Sequence, residues 1–191
     1  PFSILALEDA PKRHRMRSET YVKARHSKNT LPLTNISMKT KKRIRIGYFS
    51  ADFREHPVAY LIAKVLEQHN RSEFEVFGYS LHEGKHSEFR QRLVSAFDCF
   101  VEIQGMSDVD KVIRVRQDNL DIAVDLTGYT EHNCSEIFGY RTAPIQINYL
   151  GYPGTTGSLD FDYIIADKFL IPPENQKYFT EKPIYLPNTY M

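Results

Sequence analysis

The 191-residue sequence contains only two cysteines, Cys99 and Cys134. Two cysteines cannot form a disulfide framework, and neither lies in a spacing typical of zinc sites, so we predict no metal site and a reducing compartment. No apolar run is long enough to span a bilayer, and the amino end lacks the layout of a secretory signal. These absences favour a cytoplasmic protein without membrane contact.

Net charge is also scarce, because 25 basic and 24 acidic residues leave a balance of +1. A chain without excess positive charge has no general attraction for nucleic acid, so no nucleic-acid partner is predicted. The sequence also lacks G-x-G-x-x-G after its first strand, G-x-x-x-x-G-K-[ST], H-E-x-x-H and G-x-S-x-G. Their absence disfavours dehydrogenase, P-loop, metalloprotease and hydrolase functions.

What the sequence does contain is an alternation of strand-like and helix-like segments from residue 43 onward. Strand patterns lie at 44–49, 74–79, 99–103, 122–126, 145–150, 163–166 and 184–186, and helical patterns at 57–69, 87–96 and 108–117. Strands separated by such helices require right-handed crossovers and a mostly parallel sheet. We therefore predict an α/β, Rossmann-like domain with helices on both faces of the sheet.

Residues 1–42 do not follow this alternation. The charged segment 8–26 carries scattered apolar residues and is compatible with a short amphipathic helix that docks on another surface. Residues 27–42 show neither helical nor strand periodicity, which is typical of a linker. The predicted organisation is a helical arm with a linker at 1–42 and one domain at 43–191.

Three segments at the carboxyl ends of predicted strands could do chemistry, because this edge of an open parallel sheet forms the binding crevice. In the first segment, Asp52 and His56 are four residues apart, just before a helix that begins near Pro57. A neutral His56 at a helix amino end could exchange a hydrogen bond with a hydroxyl or a phosphate. The alternative is a purely structural turn that Asp52 and His56 cap.

The second and third segments are rich in glycine. In the second, Gly128 ends a buried strand and precedes Tyr129 and Thr130, and Tyr129 could pack on a sugar or an acceptor. The third, 150–157, holds three glycines and a proline, and its amides and hydroxyls would suit sugar hydroxyls or a pyrophosphate. The alternatives are a strand-end turn with a half-buried Tyr129 and a rigid crossover loop.

Taken together, these segments resemble the catalytic region of the O-linked N-acetylglucosamine transferase and SPINDLY family. The matching stretches, in the family's order, are RIGYFSADF at 45–53, HP at 56–57, FEVFGY at 74–79, GYT at 128–130, APIQ at 143–146 and LGYPGTTG at 150–157. The resemblance implies a GT-B architecture, of which this chain supplies the first Rossmann-like domain. The nucleotide-binding second domain and the upstream tetratricopeptide repeats are absent, so the chain alone is not expected to complete catalysis.

The resemblance further implies an inverting transfer of N-acetylglucosamine from UDP-GlcNAc to Ser or Thr of a protein or peptide acceptor, with no cofactor and no required metal. It implies catalytic roles for Asp52, His56 and His26. The positions that it implies for substrate binding are Pro57, Tyr129, Thr130, Leu150, Gly151 and Pro153. Transfer of glucose to Asn, transfer of fucose from GDP-fucose, and a degenerate protein-interaction module are the alternative functions.

Overall fold

The computed structural model describes residues 1–25 and 42–191. The strands are β1 (Ile44–Ser50), β2 (Phe74–Ser80), β3 (Cys99–Glu102), β4 (Ile122–Asp125), β5 (Ile145–Asn148), β6 (Tyr163–Ala166) and β7 (Lys182–Tyr185). The α-helices are α1 (Phe2–Leu5), α2 (Pro11–Arg25), α3 (Pro57–Gln68), α4 (Glu88–Ser95) and α5 (Asp108–Gln117). Two 3₁₀ helices span Ser135–Tyr140 and Pro173–Tyr178.

The seven strands form one sheet, and every pairing between them is parallel. Their order is β3-β2-β1-β4-β5-β6-β7, so the chain builds outward from β1 to β3 and then continues on the other side of β1. The strand order therefore reverses between β1 and β4. In a doubly wound sheet the connections on either side of this point leave towards opposite faces, which opens a crevice at the carboxyl ends of the strands.

Helices cover both faces of the sheet, which confirms the predicted Rossmann-like architecture. On one face, α3 contributes Leu66 to a core that includes Tyr48. On the other face, α5 contributes Val112 to a core that includes Phe49. Tyr48 and Phe49 reach different cores because successive side chains of a strand point to opposite faces. The sheet is thus buried on both sides, as its nearly continuous apolar strands predict.

Three of the helices begin at a side chain that accepts a backbone hydrogen bond. Ser87 and Ser107 cap α4 and α5 by accepting from the amides three residues ahead. His56 caps α3 by accepting from the Val58 amide, which satisfies one of the free amides of the first turn. Pro57 occupies the first helical position, where its missing N–H is harmless. Pro57 therefore helps to start α3.

The predicted arm helix exists as α2 and docks on the domain, with the Tyr21 ring against that of Tyr129, but the buried residue of this helix is polar rather than apolar. Met16 is exposed, whereas Ser18 is fully buried. Ser18 packs against Gly157, where an added Cβ would lie 2.5 Å from the backbone nitrogen of Glu19. The Ser18 hydroxyl lies 3.3 Å from the Tyr152 hydroxyl. The helix thus docks on the domain through a small polar residue placed opposite a glycine. The predicted linker lies outside the described residues as far as position 41.

Candidate active site

The three segments singled out in the sequence are neighbours at the carboxyl edge of the sheet. We call them L1 (51–56, after β1), L2 (126–134, after β4) and L3 (150–157, after β5). The hydroxyl of Thr127 in L2 accepts the amide of Ala51 in L1 at 3.1 Å. Gly151 in L3 lies so close to L2 that a Cβ there would be 2.1 Å from the carbonyl oxygen of Leu126. Only glycine fits this approach, which explains its presence in L3.

A cleft of about 580 Å³ opens between these loops and the amino-terminal residues. The cleft lies where the strand order reverses, the position that a doubly wound sheet favours for ligands. The residues that line it are Pro1, Phe2, Ser3, Asp52, Arg54, His56, Val58, Tyr129, Thr130, Glu131, His132 and Gly151. The structure therefore brings five predicted site residues to one cavity: Asp52, His56, Tyr129, Thr130 and Gly151.

Asp52 and His56 form the charged centre of the cleft. His56 Nδ1 lies 3.5 Å from Asp52 Oδ2 and 3.3 Å from the amide nitrogen of Val58. Nδ1 cannot serve both neighbours at once, because the amide needs an unprotonated nitrogen and the carboxylate needs a protonated one. While Nδ1 accepts the Val58 amide, a neutral ring carries its proton on Nε2. Within the described residues Nε2 has no hydrogen-bond partner, so the ring offers a donor to a ligand.

Arg54 is a cleft residue that the sequence analysis does not identify. Its Nη2 donates to Asp52 Oδ1 at 3.1 Å, so the two carboxylate oxygens of Asp52 contact Arg54 and His56 respectively. A guanidinium at this position is suited to a phosphate or carboxylate group. The available signal was the sequence D-x-R-E-H, which puts four ionisable side chains in one short loop between a strand and a helix.

Tyr129 lines the cleft, but most of its surface is buried and its hydroxyl is hydrogen-bonded within the protein. The hydroxyl donates to the Thr156 carbonyl at 2.6 Å, and the ring centroid lies 4.7 Å from that of Tyr21 and 5.1 Å from that of Tyr152. Burial raises the pKa of this tyrosine well above its usual value. The geometry thus favours the structural alternative, a strand-end turn, over a sugar stacking on the ring, and Tyr129 is more deeply buried than that alternative predicted.

L3 is turned inward, towards a carboxylate that the sequence analysis does not identify. Glu181 is buried and accepts the Thr155 hydroxyl at 2.7 Å, the Thr156 amide at 2.6 Å and the Thr156 hydroxyl. The Thr180 hydroxyl is a fourth donor at 3.1 Å. The expected display of L3 hydroxyls and amides towards a ligand is therefore not what the geometry shows for 155 and 156. Thr155 and Thr156 therefore agree with the alternative interpretation of L3, a rigid crossover loop.

The other predicted site residues lie elsewhere. Pro153 lines a second cavity of about 540 Å³ between L3 and the arm. Leu150 is buried, has a φ of +74° and accepts the Tyr190 hydroxyl on its carbonyl at 2.7 Å. Pro57 and Leu150 line neither of these two cavities. His26 lies outside the described residues, so its predicted role stays a prediction.

Asp125, the last residue of β4, lies directly beneath L2. Its carboxylate is buried and Oδ1 accepts the amides of Thr127 at 2.9 Å and of Gly128 at 3.1 Å. Burial raises the pKa of this carboxyl to about 6, while the two amide hydrogen bonds act in the opposite direction. Asp125 is therefore a buried carboxyl whose pKa lies above its usual value.

Neither metal ligands nor membrane-spanning segments occur in the described parts of the chain. Residues 1–25 and 42–191 contain no group of three or more His, Cys, Asp or Glu side chains that could hold a metal ion. Over the same residues, every helix is too short or too polar to cross a bilayer.

Comparison with known proteins gives one consistent family. The sequence profile of glycosyl transferase family 41 matches residues 12–191. The chain is 40% identical over 149 residues to a probable UDP-N-acetylglucosamine–peptide N-acetylglucosaminyltransferase SEC of Arabidopsis thaliana, which covers 78% of this chain and 15% of that protein. It is 38% identical over 155 residues to the UDP-N-acetylglucosamine–peptide N-acetylglucosaminyltransferase of Caenorhabditis elegans, which covers 81% of this chain and 14% of that protein.

A solved structure supports the same assignment. A mutant of the O-GlcNAc transferase of Thermobaculum terrenum superimposes with a TM-score of 0.85 at 30% identity, covering 95% of this chain and 35% of that one. The chain therefore spans about one seventh of the length of the two curated relatives and about a third of the solved chain.

Proposed function

Because the chain belongs to glycosyl transferase family 41, we propose that it forms the first half of the catalytic region of an enzyme that transfers N-acetylglucosamine from UDP-GlcNAc to Ser or Thr of proteins. The observation that carries the proposal is the cleft at the strand-order reversal, where Asp52, Arg54 and His56 converge. The relatives from A. thaliana and C. elegans, named as transferases from UDP-N-acetylglucosamine to peptide, support this donor and this acceptor class.

The proposed organisation is an arm and linker at 1–42 and a Rossmann-like half-domain at 43–191. Catalysis would require a second, nucleotide-binding domain of a GT-B fold, and tetratricopeptide repeats upstream would recruit the acceptor. This chain matches only a small part of each relative, which supports the presence of further domains in the intact protein. The proposed compartment is the cytoplasm, in keeping with two cysteines that are both free thiols.

The proposed reaction is a single inverting displacement without cofactor or metal. The acceptor hydroxyl oxygen bonds to the anomeric carbon while the bond from that carbon to the diphosphate oxygen breaks. The hydroxyl proton leaves to a base, and negative charge develops on the departing UDP. Catalysis of this step needs in-line positioning, a route for the proton and donors near the diphosphate.

The geometry supports different roles for the L1 side chains. His56 is the proposed donor, because its Nδ1 accepts the Val58 amide and its Nε2–H is free to bind a sugar hydroxyl or a phosphate. Arg54 supplies positive charge near the leaving group. The carboxylate of Asp52 contacts both Arg54 and His56. We assign to it the role of accepting a proton or a hydrogen bond from the substrate. His26, from the arm, is a second candidate for the base.

The proposal is tested on the intact protein that contains this chain. It is incubated separately with UDP-GlcNAc, UDP-glucose and GDP-fucose, each with a peptide that contains Ser, Thr and Asn, and the product is mapped by mass spectrometry. We expect the mass of one N-acetylhexosamine on Ser or Thr, and the same yield when EDTA is present. A hexose on Asn, or a deoxyhexose supplied from GDP-fucose, would replace the proposed reaction by one of the two alternative transfers. No sugar from any of these donors would favour the interaction module.

A calorimetric titration then tests the split cleft. UDP and UDP-GlcNAc are titrated into this chain and into the intact protein. Binding by the intact protein alone is the expected result, because the second half of the cleft would hold the nucleotide. Equal binding by the 191-residue chain would contradict the proposed division of the site between two domains.

A further inference from the structure

A series of hydrogen bonds connects the buried end of β4 to the loop that carries the charged centre of the cleft. Asp125 Oδ1 accepts the amides of Thr127 and Gly128. The hydroxyl of Thr127 then accepts the amide of Ala51, the residue that precedes Asp52. Asp125, Thr127 and Ala51 are all at most 2% exposed. Because water cannot substitute for a lost partner in such a place, each bond in the series constrains the next.

We propose that Asp125 is a positioning residue of the cleft: by fixing Thr127, it holds L1, with Asp52 and His56, in one position relative to L2. β1 and β4 pair directly, with Phe49 opposite Asp125, but this pairing ends where the loops begin. Beyond the paired residues, L1 and L2 are joined by the hydrogen bond of 3.1 Å from the Ala51 amide to the Thr127 hydroxyl. The effect on catalysis rests on the proposed function, whereas the link itself can be tested without it.

The surroundings of Asp125 make this link sensitive to protonation. Within the described residues no Lys, Arg or His forms an ion pair with it. Tyr129 from L2 and Cys134 at the end of L2 are the titratable side chains on which its charge acts. Burial is the main cause of the raised pKa of both, and the charge of Asp125 adds to it. The residue that pairs with Asp125 on the adjacent strand β5 is Asn148, whose Oδ1 is buried without a partner in the described structure.

Protonation weakens the link because a neutral carboxyl group is a poorer acceptor for two amides than a carboxylate. Burial raises the pKa of Asp125 to about 6, so the link is complete above that pH and loosens as the pH falls through it. An Asn at 125 keeps an oxygen for the amides but has no proton to gain.

The first test measures the link directly, by hydrogen exchange of the intact protein at neutral pH. Thr127→Val keeps the shape of the side chain and removes the hydroxyl, and Thr127→Ser restores a hydroxyl as the matched control. We expect exchange in the peptide containing Ala51 to accelerate at least about tenfold in the Val variant and to return towards the wild-type rate in the Ser variant. Unchanged exchange at Ala51 in Thr127→Val would overturn the proposal. Peptides from β2 serve as the check that the fold is intact.

The second test measures the consequence for sugar transfer. The kcat/KM of the wild-type enzyme is expected to contain an acidic limb near pH 6 that is missing in Asp125→Asn, while the Asn variant is lowered by about threefold to tenfold at neutral pH. The double variant Asp125→Asn/Thr127→Val is expected to be no worse than Thr127→Val, because both changes break one series. An Asn variant whose pH profile is identical to that of wild type, or fully additive losses, would overturn the positioning role. A wild-type enzyme without transfer, but with the predicted exchange pattern, would contradict only the proposed function.

Discussion

L1 and L3 are both short loops at the same edge of the sheet, yet they direct their polar groups in opposite directions. In L1, Asp52, Arg54 and His56 line the cleft. In L3, the hydroxyls of Thr155 and Thr156 point inward to the buried Glu181. L3 thus behaves as a rigid support, and L1 carries the groups that are free to meet a substrate. Two family motifs at the same edge of the sheet can therefore differ in role, with one directing its polar groups into the cleft and the other directing them into the protein.

The largest effect is expected from removing the L1 groups without disturbing the fold. His56→Asn keeps a side chain that caps α3 but removes the imidazole. We expect the kcat/KM for peptide glycosylation by the intact enzyme to fall about a hundredfold or more, as it does when a positioned polar group is lost, with stability within about 0.5 kcal/mol of wild type. Ser87→Ala, which removes only the cap of α4, is the control. It is expected to lose about 1 kcal/mol of stability and no activity.

The second effect concerns the support rather than the chemistry. Glu181→Ala leaves four buried or half-buried donors of L3 and Thr180 without their acceptor, so we expect a loss of about 3 kcal/mol in the free energy of unfolding. Chemical denaturation measures this loss. Glu174→Ala removes an exposed carboxylate from the nearby 3₁₀ helix and is expected to change stability by less than about 0.5 kcal/mol. Equal stability of the two variants would show that L3 does not depend on Glu181.

The third effect is a pH dependence of stability that originates at Asp125. The folded state raises the pKa of this carboxyl from 3.8 to about 6. Between these values the folded protein holds a proton that the unfolded chain has lost, so the stability contributed by this group falls as the pH rises. We expect the stability of wild type relative to Asp125→Asn to fall by about 2 kcal/mol between about pH 4.5 and about pH 7.5. Parallel denaturation curves for the two proteins at both pH values would contradict the raised pKa.

The smallest expected effect is on stability at Gly157, where the contribution of the contact with α2 can be distinguished from that of the backbone conformation of L3. Gly157 and Gly105 both have positive φ, but a Cβ at 105 would meet nothing within 4 Å, whereas one at 157 would meet Ser18 and Glu19. Gly105→Ala is expected to cost about 1 kcal/mol through conformation alone. Gly157→Ala is expected to cost about 1 kcal/mol more and to speed hydrogen exchange in α2. If the two variants lose the same amount, the contact with α2 adds nothing to stability.

Much of the fold could be predicted from the sequence, because burial on both faces forces parallel strands to be apolar and the helices between them to be amphipathic. Strand β6 and helix α5 have the predicted bounds, and the other strands and helices predicted within 43–191 differ by one or two residues at their ends. The arm helix α2 begins at Pro11, three residues after the start of the predicted segment. The three site segments could also be placed at one edge, because the carboxyl ends of parallel strands share an edge.

What the sequence could not reveal were contacts between distant residues of unremarkable type. Glu181 lies in a Thr-Glu-Lys stretch that is typical of an exposed turn, and its buried position follows only from the way β7 brings it beneath L3. Ser18 looks like one more polar residue on a charged helix, and it is buried because position 157 has no side chain. The direction of the hydroxyls in L3 depends on Glu181, so local sequence could not decide between ligand binding and support.

The seating of Ser18 on Gly157 determines where this protein can be divided. A boundary at residue 43, just before β1, would separate α2 from L3. It would expose the surfaces of Tyr129 and Tyr152 that now contact the arm. The smallest transplantable unit therefore includes residues 11–25. In a chimera built from two relatives, the arm and L3 belong to the same parent, since a bulkier residue at 18 in one parent would meet a loop shaped for serine in the other.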